Sequence, residues 1–325
     1  MDNIRKIAVM TSGGDAPGMN PTIRAVVRTA RSAGIEITGI RRGYEGLLHG
    51  DFIDLSKTGV SNILNRGGTF LKTARCKEMY TPEGRDKAAM ICKVLGFDAL
   101  IIIGGDGSLK GGLELYERGI NIIGIPGTID LDFPASDYTI GFDTAVNTAM
   151  DGIMKLKDTS ESHERCSIIE VMGRNSGYIA LWCGIVSGAE EVLIPENEYC
   201  TKEDIIRLVI KNRSKGKRHN IIVIAEGVGG TTEIATEVEK VTGIETRATI
   251  LGHIQRGGMP SALDKLHASC MGYEAVQALL RGEESRVVVY KDGKYGTVDI
   301  NEAIATNDDG KWSNYYYKIA KTLSV

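Results

Sequence analysis

The chain has 325 residues, with 39 Lys and Arg against 42 Asp and Glu and a formal net charge of −3 at pH 7. Lacking a basic surplus, it has no electrostatic footprint of a general nucleic-acid or acidic-membrane binder. The length allows two domains, each able to bury a core, and its 40 glycines, about 12% of the chain against about 7% in average proteins, mark a turn-rich globular composition.

The six cysteines, Cys76, Cys92, Cys166, Cys183, Cys200 and Cys270, lie far apart with no CxxC pair and no histidine at metal-ligand spacing. That pattern argues against a disulfide framework or a zinc site. The opening MDNIRKIAVMTSGG breaks its apolar run too early for a signal-peptide core. Stretches such as Tyr178 to Val186 fall short of the roughly 18 apolar residues that suggest a membrane span. The expectation is a cytoplasmic protein with neither membrane nor nucleic-acid partner.

In chain order, Ile7 to Met10 reads as a buried strand, and Asn20 to Ser32 as a helix with apolar Ile23, Val26, Val27 and Ala30. The unit repeats with a strand over Phe97 to Ile103, a helix over Leu109 to Glu117 and a strand over Ile122 to Ile125. A second set follows: strand Cys166 to Val171, a helix near Gly177 to Val186, strand Val192 to Ile194, a helix from Thr201, and strand Ile221 to Ala225. Thr201 with Asp204 reads as an N-cap and an acidic first turn. Strand, glycine turn, helix, strand is the βαβ signature, so the expected class is α/β: two doubly wound domains with mainly parallel sheets and a cleft between them. Ligands of such sheets bind beyond the carboxyl ends of the strands.

The turns there carry the chemistry. Ser12-Gly13-Gly14-Asp15-Ala16-Pro17-Gly18 joins the first strand to the first helix, where glycine lets backbone amides approach an anion. Gly104-Gly105-Asp106-Gly107-Ser108 repeats the device with a carboxylate that suits magnesium beside substrate phosphates. Pro126-Gly127-Thr128-Ile129-Asp130-Leu131-Asp132 follows the third strand. In this segment, read as extended, the two acids at i and i+2 project to one side, one to take a proton and the other to bind metal or orient a sugar.

Arg75 after Gly67-Gly68-Thr69, Arg165, Arg174 in Met172-Gly173-Arg174, Arg247, and Arg256 in His253-Ile254-Gln255-Arg256-Gly257-Gly258 are read as phosphate-binding forks placed after strands. Glu226 ends the strand Ile221 to Ala225, placed to accept sugar hydroxyls. Lys215, Lys217, Arg218 and His219 form a basic cluster just before it.

SGGDAPGMN (Ser12 to Asn20), GGTFLKTAR (Gly67 to Arg75), GGDGS (Gly104 to Ser108), PGTID (Pro126 to Asp130), TIGFDTA (Thr139 to Ala145), VMGR (Val171 to Arg174) and LGHIQRGG (Leu251 to Gly258) together resemble the bacterial 6-phosphofructokinase family, in order over essentially the whole chain. The resemblance implies transfer of the γ-phosphoryl group of MgATP to the 1-hydroxyl of fructose 6-phosphate. It implies Asp130 as base, Asp106 and Asp132 attending Mg2+, and Arg75, Thr128, Arg174 and the Gly13 amide on the phosphoryl group. ATP would further meet Tyr44, Cys76, Gly105, Gly107 and Ser108. Arg256 and His253, with Arg165 and Arg247 of a neighbouring subunit, would hold the sugar 6-phosphate, while Met172, Gly173 and Glu226 touch the sugar.

A homotetramer is implied, with an ATP-binding domain over 1–141 and 255–305 and a fructose 6-phosphate-binding domain over 142–254 and 306–325. Pyrophosphate-using relatives carry an acid after GGD and a lysine for the glycine of PGTID, whereas Gly107 and Gly127 here favour ATP. The family's regulatory site for ADP or phosphoenolpyruvate matches Arg24, Arg28, Glu190, Lys215, Lys217 and His219, with Lys57 and Lys157 where arginine is common. Leu131 stands where the family has asparagine, and Phe133-Pro134-Ala135 is unusual. Cys76, Lys77 and Tyr80 also differ from the residues common near the adenine pocket. The alternatives are a pyrophosphate-dependent enzyme and a catalytically silent sensor subunit.

Overall fold

The computed structural model describes residues 4–57, 59–197, 202–306 and 311–324. The chain begins β1 (Lys6–Ser12), α1 (Met19–Ser32), β2 (Glu36–Ile40), α2 (Gly43–His49), β3 (Phe52–Asp54), α3 (Pro82–Val94), β4 (Ala99–Gly104), α4 (Asp106–Tyr116) and β5 (Asn121–Pro126). It continues with α5 (Phe142–Ser162), β6 (Cys166–Val171), α6 (Tyr178–Ser187), β7 (Glu191–Leu193), α7 (Lys202–Ser214), β8 (Asn220–Ala225), α8 (Thr231–Thr242) and β9 (Thr246–Ile250). The last elements are α9 (Ala262–Leu280), β10 (Arg286–Lys291), β11 (Lys294–Asp299), α10 (Ile300–Ala305) and α11 (Lys311–Leu323). Two compact units result, Met1–Thr144 with Arg256–Asn307 and Ala145–Gln255 with Asp308–Val325.

The first unit holds a seven-stranded sheet in the order β11-β10-β5-β4-β1-β2-β3. Its five inner strands are parallel, and antiparallel β3 and β11 close the edges. Every residue of β4 is buried, so both faces are covered, and an unbroken apolar run is the sequence such a strand requires. Ala8, Met10, Leu100, Ile102 and Ile122 form one core with Leu47, Ala88, Leu109 and Ile300. Helix α1 buries Ile23, Val26, Val27 and Ala30, and packs against α9. Each fully buried aliphatic side chain of this kind is worth about 1.5–3 kcal/mol.

The second unit holds four parallel strands in the order β7-β8-β6-β9. Cys166, Ile168, Leu193, Ile222 and Ile224 pack there with Ile205 and Val209 of α7 and Ala235 and Val238 of α8. The fold class is the α/β, mainly parallel one expected from the sequence.

Local chemistry moves some boundaries. The strand expected from Phe97 starts at Ala99, because the Asp98 carboxylate accepts the amides of Arg5 and Lys6 at 2.7 and 2.8 Å. Helix α4 begins at Asp106, so that acid lies in a helical first turn. Helix α7 carries Glu203 and Asp204 in its first turn, while Thr201 lies outside the described residues. Thr81 caps α3 by accepting Gly84 N at 3.2 Å, and Ser261 caps α9 by accepting Asp264 N at 3.1 Å. Among the described residues, Cys76, Cys92, Cys166, Cys183 and Cys270 are free thiols, and no helix is long and apolar enough to cross a membrane.

Candidate active site

Three turns leave the carboxyl edge of the first sheet side by side. The register sets Ser12 opposite Gly104 and Gly104 opposite Pro126, so the turns after β1, β4 and β5 start level. Gly13 has φ +86°, which favours glycine, and a Cβ there would sit 3.1 Å from Ser108 Oγ, so the first two turns lie in close contact. Neither α1 nor α4 has a side-chain N-cap bond; in α1 Met19 N donates to the Ala16 carbonyl at 3.2 Å and Pro21 has no N–H, so it is α4 that offers successive first-turn amides, those of Asp106 and Gly107, to an anion. Tyr44, nearly buried, donates its hydroxyl to the Ser108 carbonyl at 2.6 Å. Cys76 is also buried, which pushes its thiol up.

Space around the remaining glycines differs. A Cβ on Gly107 would meet nothing within 4 Å, whereas one on Gly127 would lie 3.2 Å from Ile103 Cγ2 and 3.3 Å from Met19 Cε. Asp106 makes an ion pair with Lys110 at 2.7 Å, one helical turn on.

After β5, Thr128 organises the acids. Its hydroxyl accepts Asp130 N and donates to Asp132 Oδ1, both at 3.2 Å, while its carbonyl accepts the Thr139 hydroxyl at 2.7 Å. The expectation that Asp130 and Asp132 project to one side is overturned: Asp130 is 3% exposed and Asp132 faces solvent. Leu131 has φ +53°, and that left-handed residue breaks the two-residue alternation of an extended segment.

The segment carrying Arg75 is irregular and held by side chains. Asn20 donates to the carbonyls of Arg66 and Gly67 at 3.0 and 3.2 Å and accepts Phe70 N at 2.5 Å. Thr11 bonds the Thr69 hydroxyl at 2.8 Å and donates to the Lys72 carbonyl at 2.9 Å, while Thr73 donates to the Gly13 carbonyl at 2.7 Å. Arg75 itself is exposed. Arg256 donates to the Asp15 carbonyl at 3.0 Å and lies against Gly14, where a Cβ would be 2.5 Å from its Nη1.

In the second unit, β6 and β8 end together, Val171 opposite Ala225. Glu226, the next residue, accepts Gly173 N at 3.3 Å and Arg174 N at 2.8 Å through Oε1. Gly173 at φ +140° approaches the Ser176 carbonyl where a Cβ would be 2.2 Å away. Gln255, fully buried, accepts Met172 N at 3.2 Å and donates to the Gly252 carbonyl at 2.9 Å. Arg174 and His253 are exposed.

Of the arginines read as following strands, Arg174 does. Arg165 instead precedes β6 and Arg247 is the second residue of β9, at the opposite end of the sheet. At about 3.3 Å per residue, β6 separates Arg165 from Arg174 by roughly 20 Å, which puts the two at opposite ends of the sheet within a single chain. Arg165 and Arg247 share Glu245, through Arg165 Nε at 2.6 Å and Arg247 Nε and Nη2 at 3.0 and 2.5 Å.

The candidate effector residues divide between the units. In the first, Arg28 donates to Ser61 Oγ at 3.2 Å, Lys57 pairs with Asp54 at 3.5 Å, and burial with the nearby Arg28 charge pulls Arg24 below its ordinary range. In the second, Glu190, 3% exposed, pairs with Lys217 at 2.5 Å and accepts Ile221 N, and Lys157 donates to the Ser187 carbonyl at 2.8 Å. Lys215 is exposed and His219 half-buried.

Sequence reasoning passed over Asn20, Thr73, Glu245 and Gln255. Asn20, Thr73 and Gln255 stood inside quoted motifs but were given no role; Glu245 lay outside them, and its partner Arg165 is distant in sequence.

Two α/β units with mainly parallel sheets, the first presenting aligned glycine turns at a carboxyl edge, define the class. The family described as Phosphofructokinase matches residues 6–279, and the chain belongs to that family. It is 53% identical over 321 residues to an ATP-dependent 6-phosphofructokinase of Clostridium botulinum, covering 99% of this chain and 100% of the relative. A protein of the same name from Clostridium acetobutylicum is 54% identical over the same shares. The solved phosphofructokinase of Saccharomyces cerevisiae superposes with a TM-score of 0.86 at 33% identity, over 99% of this chain and 48% of the yeast chain. This chain thus spans about half the length of that larger protein.

Proposed function

We propose that this phosphofructokinase transfers the γ-phosphoryl group of ATP to the 1-hydroxyl of fructose 6-phosphate, giving ADP and fructose 1,6-bisphosphate. The observation that carries the reading is the buried Asp130, its amide fixed by Thr128, on the turn next to the glycine turn of β4. Asp130 takes the proton of the 1-hydroxyl as the oxygen attacks phosphorus. Arg75, Thr128, Arg174 and the Gly13 amide hold the transferring group, where positioning and charge stabilisation dominate catalysis. Tyr44, Cys76, Gly105, Gly107 and Ser108 form the nucleotide side.

Among the described residues no cluster of three His, Cys, Asp or Glu is built to hold a metal ion. Magnesium beside a nucleotide needs only one or two carboxylates plus the substrate phosphates. Asp106 and Asp132 are the residues that would hold it, and when bound it offsets phosphate charge. The open space at Gly107 leaves room for the α-phosphate of ATP.

The first unit is read as the ATP-binding domain and the second as the fructose 6-phosphate-binding domain, with Met172, Gly173 and Glu226 at the sugar. Arg256 and His253 take the 6-phosphate together with Arg165 and Arg247 of a second copy. The distance along β6 from Arg165 to Arg174 supports a site completed by that copy, within a homotetramer working in the cytoplasm. Arg24, Arg28, Lys57, Lys157, Glu190, Lys215, Lys217 and His219 form the site for ADP or phosphoenolpyruvate.

The test is an initial-rate assay of the purified chain with magnesium and fructose 6-phosphate, comparing ATP with pyrophosphate, alongside an Asp130→Asn variant. Turnover with ATP, and loss of about 10²–10⁴-fold in kcat with substrate binding retained in the variant, is expected. Faster turnover with pyrophosphate, or an unaffected variant, would defeat the reading.

A further inference from the structure

Arg165 and Arg247 come from adjacent strands: β6 and β9 pair in parallel, with Cys166 opposite Thr246 and Ser167 opposite Arg247. Two guanidiniums brought together repel unless an anion lies between them, and Glu245 is that anion. Its place is fixed by the backbone, since its carbonyl accepts Cys166 N at 3.0 Å. Oε2 accepts Arg165 Nε at 2.6 Å, and Oε1 accepts Arg247 Nε at 3.0 Å and Nη2 at 2.5 Å.

Glu245 therefore takes the inner edge of each guanidinium. Both terminal nitrogens of Arg165 and Nη1 of Arg247 make no hydrogen bond to any described residue. Two cations on one carboxylate remain net positive, with planar N–H donors left for a further anion. Guanidinium forks of this kind match the oxygens of a phosphate monoester.

We propose that Glu245 is a positioning residue which grips Arg165 and Arg247 from behind and presents their remaining N–H groups as a preformed cradle for the 6-phosphate of fructose 6-phosphate. The inference rests on the reading of these two arginines as sugar-phosphate contacts. Ordering two long side chains before the ligand arrives removes a cost that binding would otherwise carry. Hydrogen bonds from Arg165 and then Arg247 hold the Glu245 carboxyl below the usual carboxylate range, so the grip stays charged in neutral solution.

Glu245→Gln in the full-length enzyme tests this. The amide offers one acceptor oxygen, so one guanidinium faces an NH2 group and is released. The expected result is a rise of about tenfold in KM for fructose 6-phosphate, with kcat, KM for ATP and the melting temperature nearly unchanged, since half-exposed ion pairs contribute little to stability. Arg247→Ala checks the reading beneath: an unchanged KM there would remove the arginine pair from the sugar site. A raised KM in Arg247→Ala with an unchanged or lowered KM in Glu245→Gln would overturn the positioning role alone. In an Arg165→Ala, Arg247→Ala background, the glutamine substitution should add nothing; a further effect there would also overturn it.

Discussion

The Thr73 hydroxyl donates to the Gly13 carbonyl across 2.7 Å, joining the segment that carries Arg75 to the first glycine turn. The same turn touches the second, because Gly13 lies against Ser108, whose carbonyl is held by Tyr44. An irregular segment and two turns are therefore tied together, and the Gly13–Gly14 peptide has its direction set by a side chain sixty residues away.

Thr73→Val removes that tether while keeping the shape. A misplacement of under an ångström at a phosphoryl site is expected to lower kcat by about ten- to a hundredfold, with stability falling by only about 1 kcal/mol. Thr73→Ser should restore kcat. If the serine variant is as slow as the valine one, the hydroxyl has no role in catalysis.

Leu131 adopts φ +53°, a conformation that costs a non-glycine residue roughly 1–2 kcal/mol and that asparagine tolerates better. Leu131→Asn should therefore raise the free energy of unfolding by about 1 kcal/mol, read from the urea midpoint at constant slope. A lower midpoint would mean that packing of the leucine outweighs its backbone strain.

Asp264, fully buried in the first turn of α9, accepts the Tyr138 hydroxyl at 2.7 Å, Gly141 N at 2.6 Å, Thr144 N at 2.8 Å and the Thr144 hydroxyl. Burial pushes its carboxyl up and these donors draw it back. Asp264→Ala orphans all of them and should cost about 3–5 kcal/mol. Denaturation showing less than about 1 kcal/mol would contradict this.

His267 stacks on Tyr138 with centroids 3.9 Å apart and bonds the Tyr295 hydroxyl at 3.0 Å. Burial lowers its pKa below the ordinary value of about 6.5. The unfolded chain thus binds this proton more readily, so the stability it contributes is complete above about pH 6.5 and is lost as pH falls through its lowered folded value. His267→Gln should flatten that part of the decline between about pH 7 and pH 5. Parallel curves for variant and parent would show that other groups carry it.

Gly107→Asp places a carboxylate into open space, so the fold should tolerate it within about 0.5 kcal/mol. Turnover with ATP should nevertheless drop steeply through repulsion of the nucleotide phosphates. Retained KM and kcat for ATP would detach Gly107 from donor choice.

The parallel core was legible because strands buried on both faces are written as unbroken apolar runs: ALIIIG in β4 and NIIVIA in β8. Strand β9, TRATI, gave no such signal, being short, polar and half-exposed at a sheet edge. The hairpin of β10 and β11 was passed over although Asp292-Gly293 marks it. Both residues adopt positive φ, +50° and +76°, as a two-residue turn between antiparallel strands requires. The acids and arginines of the motifs were readable as types. Their directions were not, because Leu131 reverses one alternation and β9 carries Arg247 to the far end of its sheet.

The level start of the three turns sets a ruler under the site. Adjacent strands lie about 4.8 Å apart, so the turns after β1, β4 and β5 are graduated by the repeat of the peptide ladder. A slip of one residue in β4 would carry Gly105 and Asp106 about 3.3 Å along the strand axis and exchange the two faces of a strand that is packed on both. Close packing on both faces of β4 thus guards the dimensions of the chemistry: an error in the spacing of these turns cannot arise without repacking the core on either side of the sheet.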